Sequence, residues 1–261
     1  MSKLHQLTSY VKYWLNAVDK HSLQAPYIYE LYTSVLKASD KNNHFEALEM
    51  LRNQYKSSNQ TIPVIDFGAG SKVSNDHTRK ISDIATKGLT SNKYSEMLYR
   101  LCRFLEAKNI LELGTSLGVN TLYLATSNKN AIVSTFEGSP SLCKIATNTF
   151  HQFGAKNARI IEGNIDDNLQ SFIESSLPID VAFVDANHRY APTISYFDIM
   201  LTKIHDQSCF IFDDIHWSKE MEQAWYEIRS HYRVSLSIDL YQMGLVFFKP
   251  DLRKQHYILQ F

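Results

Sequence analysis

The stretch "LELGTSLGVNTLYLA", residues 111–125, decides how the rest of the chain is read. Taken back to "NILEL" (109–113), it opens on a short apolar run that reads as a buried strand. It turns on Gly114 and Gly118, which permit backbone shapes closed to other residues and allow close approach of a ligand. It continues as an apolar segment of helical length, whose first N–H groups are free to face an anion or a polar ligand. The next strand, "AIVSTFEG" (131–138), ends in Glu137, an acid placed to accept both hydroxyls of a ribose.

The same alternation runs on toward the C-terminus. "PSLCKIATNTFHQFG" is a helix closed by Gly154, "ARIIEG" a strand and "DDNLQSFIESS" a helix. "IDVAFVDA" is an apolar strand, "APTISYFDIMLTKI" a helix that tolerates Pro192 in its first turn, and "SCFIFDDI" a fifth strand. In "SKEMEQAWYEIRSHY", Met221, Ala224, Trp225 and Ile228 share a helix face and Ser218 stands as N-cap. "VSLSIDLYQMGLVFFKP" reads as two strands joined at Gln242–Gly244. Successive βα units and a terminal hairpin predict a doubly wound α/β fold, an open and mostly parallel sheet with helices on both faces. Ligands of such sheets bind beyond the carboxyl ends of the strands.

Upstream, the reading changes. "KYSEMLYRLCRFLEAK" (93–108) places Tyr94, Met97, Leu98, Leu101, Cys102 and Leu105 on one helical face. Residues 5–18, 26–39 and 44–55 read as helices. The polar tract 56–92 reads as a long loop with a short helix near Arg79–Thr86. This predicts an N-terminal helical and loop cap over 1–90 and a ligand-binding domain over 91–261.

Composition narrows the function. Lys+Arg and Asp+Glu number 27 each, so no excess charge points to nucleic acid or an anionic membrane. The N-terminus lacks a continuous apolar run, so neither a secretory signal nor a membrane span is expected. Cys102, Cys143 and Cys209 sit in apolar segments without metal-ligand spacing; free buried thiols in a reducing cytoplasm are expected.

A second glycine loop, "IDFGAGS" (65–71), competes for the role of ligand turn. It leads into the polar run "KVSNDHTRK", and no strand ending in an acid follows, so it reads as a structural turn or part of a lid. The chosen loop lacks the third glycine of the dinucleotide fingerprint. Glu112, two residues before Gly114, is unfavourable beside a diphosphate but suits a cationic ligand.

Together "ILELGTSLG" (110–118), "FEGSP" (136–140), "IEGN" (161–164), "FVDANHRY" (183–190) and "FDDIHWS" (212–218) resemble the ordered motifs of class I S-adenosylmethionine-dependent methyltransferases. The resemblance covers residues 88–250 and is nearest to the catechol O-methyltransferase and cephalosporin-hydroxylase-like branch. It implies a Rossmann-like sheet of seven strands, the last antiparallel. It implies Glu112 near the amino end of the methionine moiety and Glu137 on the ribose, with Gly114, Ser116, Gly118 and Gly138 in the cofactor-binding loops. Gly163 and Asn164 would lie by the adenine, Asn164 standing where many members have Asp. Asp185 is counted with the cofactor residues as well as with the acids below. The segment "GLTSNKY" (88–94) is similar to a lead-in that covers the cofactor.

Asp185 ends the fourth strand of the alternation, and Asp213 and Asp214 end the fifth. Neighbouring carboxylates repel unless protonated or bound to a cation, and an all-oxygen set favours Mg²⁺ or another hard divalent ion. The family resemblance implies the same metal set. Arg189 is the rival partner, which would make the cluster a salt-bridge network. His188 stands where catechol enzymes have a catalytic lysine and is the candidate base, with Asp185 and Asp214 beside it in the catalytic set. His216 is the competing base or metal ligand. The aromatic groups Tyr10, Tyr13, Trp14 and Tyr27, Tyr29, Tyr32 read as helix packing, a homodimer contact or an aromatic acceptor pocket.

The expectation is O-methylation of a small molecule assisted by a divalent metal. Alternatives are a metal-independent N- or protein methyltransferase, a nicotinamide-dependent oxidoreductase, and a non-catalytic scaffold. EDTA sensitivity, NAD(P)H fluorescence on mixing and S-adenosylmethionine binding discriminate them.

Overall fold

A computed structural model describes residues 3–39, 43–65 and 78–261 of the chain. The "IDFGAGS" loop lies outside the described residues from 66 onward. Two compact units divide the chain: residues 1–37 with 169–261, and residues 38–168.

The first unit begins with α1 (Lys3–Asn16) and α2 (Pro26–Leu31), the latter continued by a π-helical turn over Tyr32–Leu36. The second unit carries α3 (Asn43–Lys56) and a small antiparallel pair, β1 (Thr61–Pro63) and β2 (Thr78–Lys80). The short helix expected in the polar tract is α4 (Ile81–Lys87). In α5 (Asn92–Phe104) the expected stripe is the core face: Met97, Leu98, Leu101 and Cys102 are all at 0% exposure. Then come β3 (Asn109–Leu113), α6 (Val119–Ser127), β4 (Ile132–Glu137), α7 (Pro140–Phe153) and β5 (Ala158–Glu162). Helix α8 (Ile165–Ser175) spans the division between the units.

The first unit resumes with β6 (Val181–Val184), α9 (Tyr190–Leu201), β7 (Cys209–Phe212) and α10 (Lys219–Ser230). It ends with β8 (Leu236–Asp239), β9 (Gly244–Phe247) and β10 (Gln255–Ile258). Strands "VAFV" and "CFIF" are buried at every position, as continuous apolar runs in a parallel sheet should be. Met221, Ala224, Trp225 and Ile228 are buried, and the Ser218 side chain accepts the Met221 N–H. Gly244 is required where it stands, since a Cβ there would lie 2.6 Å from the Trp225 ring.

Among the described residues, eight strands form one mostly parallel sheet in the order β10-β8-β9-β7-β6-β3-β4-β5, flanked by helices. Strand β9 is antiparallel to both β7 and β8. Strands β3 to β9 supply the seven expected of a Rossmann-like methyltransferase sheet. Strand β10, which pairs parallel with β8, adds an eighth edge strand that had no sequence signal. "QHYI" is only partly buried, so its backbone pairing, not an apolar pattern, makes it a strand. No helix among the described residues is long and apolar enough to cross a membrane. The three cysteines are free and buried, as expected.

Candidate active site

In the 38–168 unit, the glycine turn is built on the end of β4. Gly114 and Thr115 both donate their N–H to Phe136 O, at 3.1 and 3.0 Å. Ser116, itself left-handed at φ 51, donates its N–H to Glu137 Oε2 at 2.8 Å. Ser139 N–H donates to Glu137 Oε1 at 2.9 Å. Two backbone donors thus orient the half-buried Glu137 carboxylate. Gly114, Ser116 and Gly138 are likewise half-buried along the same turn. Helix α6 starts without a side-chain cap.

Four expected site residues make contacts within the protein. Glu112 is at 0% exposure; its carboxylate accepts Asn120 Nδ2 at 2.9 Å and the hydroxyls of Thr121 and Thr135 at 2.5 and 2.6 Å. Three internal donors make Glu112 a brace between β3, β4 and α6. Gly118, left-handed at φ 79, lacks a side chain because α7 passes there: a Cβ would lie 2.8 Å from the Phe150 ring and 3.0 Å from Ala146 Cβ. Asn164 Oδ1 accepts the Asp166 N–H at 3.2 Å, which caps the start of α8. Gly163 adopts φ 125, and a Cβ there would meet Asn168 Nδ2 at 2.8 Å.

In the other unit, β6 and β7 are parallel neighbours, with Val184 opposite Phe212, so Asp185 and Asp213–Asp214 follow adjacent strand ends. Asp213 is 3% exposed and accepts the Asp214 N–H at 2.9 Å. Burial holds its carboxyl well above the usual carboxylate range, and the charges of Asp185 and Asp214 push the same way; the Asp214 N–H and the Gln242 side chain oppose them. Asp214 is raised too, by burial first; the charge of His188 pulls it down and that of Asp185 pushes it up. His188 Nε2 lies 3.4 Å from Asp185 Oδ1, and its ring sits 5.7 Å from that of Trp217. Asn187, His188 and Asp214 all have positive φ (66°, 49° and 56°). Backbone strain of this kind concentrates at ligand-handling turns.

The donor set of Asp185, Asp213 and Asp214 fits a hard divalent cation in its chemistry: oxygen only, close enough to repel, and largely withdrawn from water. Among the described residues, no group of three His, Cys, Asp or Glu side chains stands in a metal-holding arrangement. His216, the competing base or metal ligand, has one ring nitrogen engaged within the protein. Its Nε2 lies 2.8 Å from Asp239 Oδ2, a carboxylate that is itself 4% exposed, so the imidazole is turned into the protein.

Residues 111–215 match the methyltransferase domain family. The mostly parallel sheet around this span is that of a Rossmann-like methyltransferase fold. The catechol O-methyltransferase of Niastella koreensis is 30% identical over 126 residues, 47% of this chain and 55% of that protein. The chain spans about half the length of the curated relatives it matches. The methyltransferase fold recurs in the Bacillus cereus O-methyltransferase in complex with SAH: TM-score 0.57, 18% identity, 85% of this chain and 97% of that one. It recurs in the Streptomyces achromogenes O-methyltransferase TomG in complex with SAM: TM-score 0.57, 16% identity, 84% and 95%.

Beyond the matched span of the methyltransferase domain stand residues the sequence reading missed. Asp239 holds His216, Gln242 contacts Asp213, and the Trp217 ring flanks His188. The signal for Asp239 was present, an acid ending an apolar strand. Gln242 lies in the hairpin connection and carries no such mark. The aromatic groups mostly pack: Tyr10 and Tyr13 lie against Tyr241, Tyr27 against Phe247, and Tyr32 is buried, while Trp14 and Tyr29 are exposed.

Proposed function

We propose that the chain transfers a methyl group from S-adenosylmethionine to a hydroxyl of a small molecule, assisted by Mg²⁺ or another hard divalent cation. The observation that carries this reading is the end of β4, where the Ser116 and Ser139 N–H groups orient the Glu137 carboxylate beside the glycine turn, the place an acid takes to accept ribose hydroxyls. Bound S-adenosylmethionine would supply the methyl group, and a bound cation would lower the pKa of the acceptor hydroxyl.

The chain's own residues position and deprotonate. Gly114, Ser116, Gly118 and Gly138 shape the backbone on the cofactor side, Glu137 takes the ribose, Gly163 and Asn164 border the adenine, and Glu112 acts through the turn it braces. Asp185, Asp213 and Asp214 would hold the cation. His188, steadied by Asp185, would take the acceptor proton, since imidazole exchanges protons near neutral pH. Most of the rate would come from holding the reacting groups in line.

We assign residues 1–90 to the acceptor side and 91–261 to catalysis; the contacts of α1 with Trp217 and Tyr241 support this. Equal counts of basic and acidic residues favour a small-molecule acceptor over nucleic acid. Three free thiols favour a reducing compartment, the cytoplasm in this reading. A homodimer through the N-terminal helices would cover Leu4, Leu7 and Trp14, which α1 leaves exposed.

Calorimetry tests the reading. Wild type should bind S-adenosylmethionine, and Gly114→Val should abolish binding, because Gly114 adopts φ 107 on the turn. Absence of binding by wild type would overturn it in favour of the scaffold. Methyl transfer that survives EDTA would favour the metal-independent reading, with a nitrogen or protein acceptor. A fluorescence change on mixing with NAD(P)H would favour the oxidoreductase.

A further inference from the structure

The turn after β7 that carries the two acids is held from outside at several points: Ile215 N–H donates to Gln242 O at 3.2 Å, Gln6 Nε2 donates to Trp217 O, and the His216 imidazole is fixed by Asp239. Within the turn, Trp217 N–H donates to Asp214 O at 2.9 Å. Asp214 keeps its left-handed conformation, which a non-glycine residue holds only where its surroundings impose it. One member of those surroundings is His216, which is 9% exposed. The Asp239 carboxylate, 2.8 Å away, can only accept, so Nε2–H donates to it. Nδ1 lies 3.3 Å from Glu222 Oε1, and the ring stacks on that of Tyr241 with centroids 5.6 Å apart.

Glu222 and Tyr241 are also the residues on which α1 rests. His5 Nε2 lies 3.8 Å from Glu222 Oε2, and Ser9 Oγ donates to Glu222 Oε1 at 3.5 Å. Neither His5 Nε2 nor His216 Nδ1 is aligned for a hydrogen bond, so both contacts to Glu222 are close approaches without one. Gln6 bridges directly: its Nε2 donates to Trp217 O at 3.2 Å and its carbonyl accepts the Tyr241 hydroxyl at 3.0 Å. The rings of Tyr10 and Tyr13 lie 5.1 and 5.5 Å from that of Tyr241. Ser9 is the one buried side chain among the described residues of α1, and Leu4, Leu7, Val11, Trp14 and Leu15 on that helix are exposed. Helix α1 is therefore held by a polar and aromatic latch shared with the acid turn and, at its far end, by the Tyr13 hydroxyl, which donates to Leu259 O at 2.7 Å.

We propose that His216 is a positioning residue: fixed by Asp239 and shared with the Glu222–Tyr241 seat of α1, it makes docking of α1 and presentation of Asp213 and Asp214 a single event. The functional consequence rests on the reading of those acids as site residues. The coupling is a property of the free protein and is measured without ligand.

The test is hydrogen exchange by mass spectrometry on the full chain. Wild type is compared with His216→Phe, which keeps a ring against Tyr241, with His216→Gln, which keeps a donor toward Asp239, and with Gln6→Ala on α1. In His216→Phe, amides of α1 and of residues 213–218 should exchange at least tenfold faster together, with β6 and β7 unchanged. His216→Gln should restore most of the protection. Gln6→Ala should speed exchange in 213–218, because coupling is reciprocal. Unchanged exchange of α1 in His216→Phe overturns the proposal. So does equal loss across β6 and β7, which would make His216 an ordinary core residue. Calorimetry with S-adenosylmethionine runs in parallel. Failure of wild type to bind removes the proposed function but leaves the exchange result to decide the coupling.

Discussion

Two glycines with nearly the same backbone offer a controlled measurement of what the ligand turn is packed against. Gly118 and Gly154 have φ of 79° and 64°. Around Gly154 a Cβ would meet no atom within 4 Å. Around Gly118 it would lie 2.8 Å from Phe150 Cε1, 3.0 Å from Ala146 Cβ and 3.2 Å from Ala146 Cα. Ala146 Cα is backbone of α7 and cannot rotate away. Alanine in the left-handed conformation costs roughly 1–2 kcal/mol at either site. The unfolded chain loses entropy in both variants, an opposite effect of about 0.4–1 kcal/mol that cancels between them. Overpacking adds roughly 1–3 kcal/mol at Gly118 alone. Gly118→Ala should therefore be about 1–3 kcal/mol less stable than Gly154→Ala. For a chain of this size that is a melting temperature lower by roughly 2–12 °C. Urea unfolding followed by circular dichroism gives the free energies, and an unchanged slope confirms that only stability moved. Equal losses in the two variants would refute the packing of Gly118 against α7. No loss in either would refute the left-handed backbone itself.

Three further outcomes are expected. Glu137→Ala should weaken S-adenosylmethionine binding by roughly 1.5–3 kcal/mol, the worth of hydrogen bonds to a charged acceptor, without unfolding the protein; an unchanged dissociation constant by calorimetry removes Glu137 from the site. Asp214→Asn should lower Mg²⁺ affinity and activity together, with activity partly recovered in excess Mg²⁺, whereas a harmful Arg189→Gln with Mg²⁺ indifference would replace the metal by a salt-bridge network. Burial, with the charges of Glu137 and Glu162, pushes the Cys143 thiol up to about 12, so native protein at pH 8.5 should resist iodoacetamide at Cys143 and urea-unfolded protein should not. The folded state then keeps a proton that the unfolded state releases, so this group lowers stability as pH rises through about 9 toward 12; peptide mapping that finds Cys143 labelled in native protein would contradict the shift.

The periodicities of the chain were sufficient for its architecture, because each depends only on residues a few positions apart. The stripe of α5, the all-apolar β6 and β7, the Ser218 cap and the left-handed Gly154 are local matters. The positions of Glu137, Asp185, Asp213 and Asp214 at strand ends were legible for the same reason. Which way a side chain turns was not, because its partners come from elsewhere in the chain. Gly118 has no room for a side chain because α7 crosses it, a contact from a helix that starts 22 positions later. Glu112 was read as open and is closed by Thr135 on the next strand. His216 has the residue type of a base or ligand, yet Asp239, 23 positions later, claims its Nε2. Strand β10 exists only because β8 offers an edge to pair with. A local pattern specifies backbone shape and the face a residue occupies. The final orientation of a polar group is settled by whichever distant donor or acceptor satisfies it once water has been excluded.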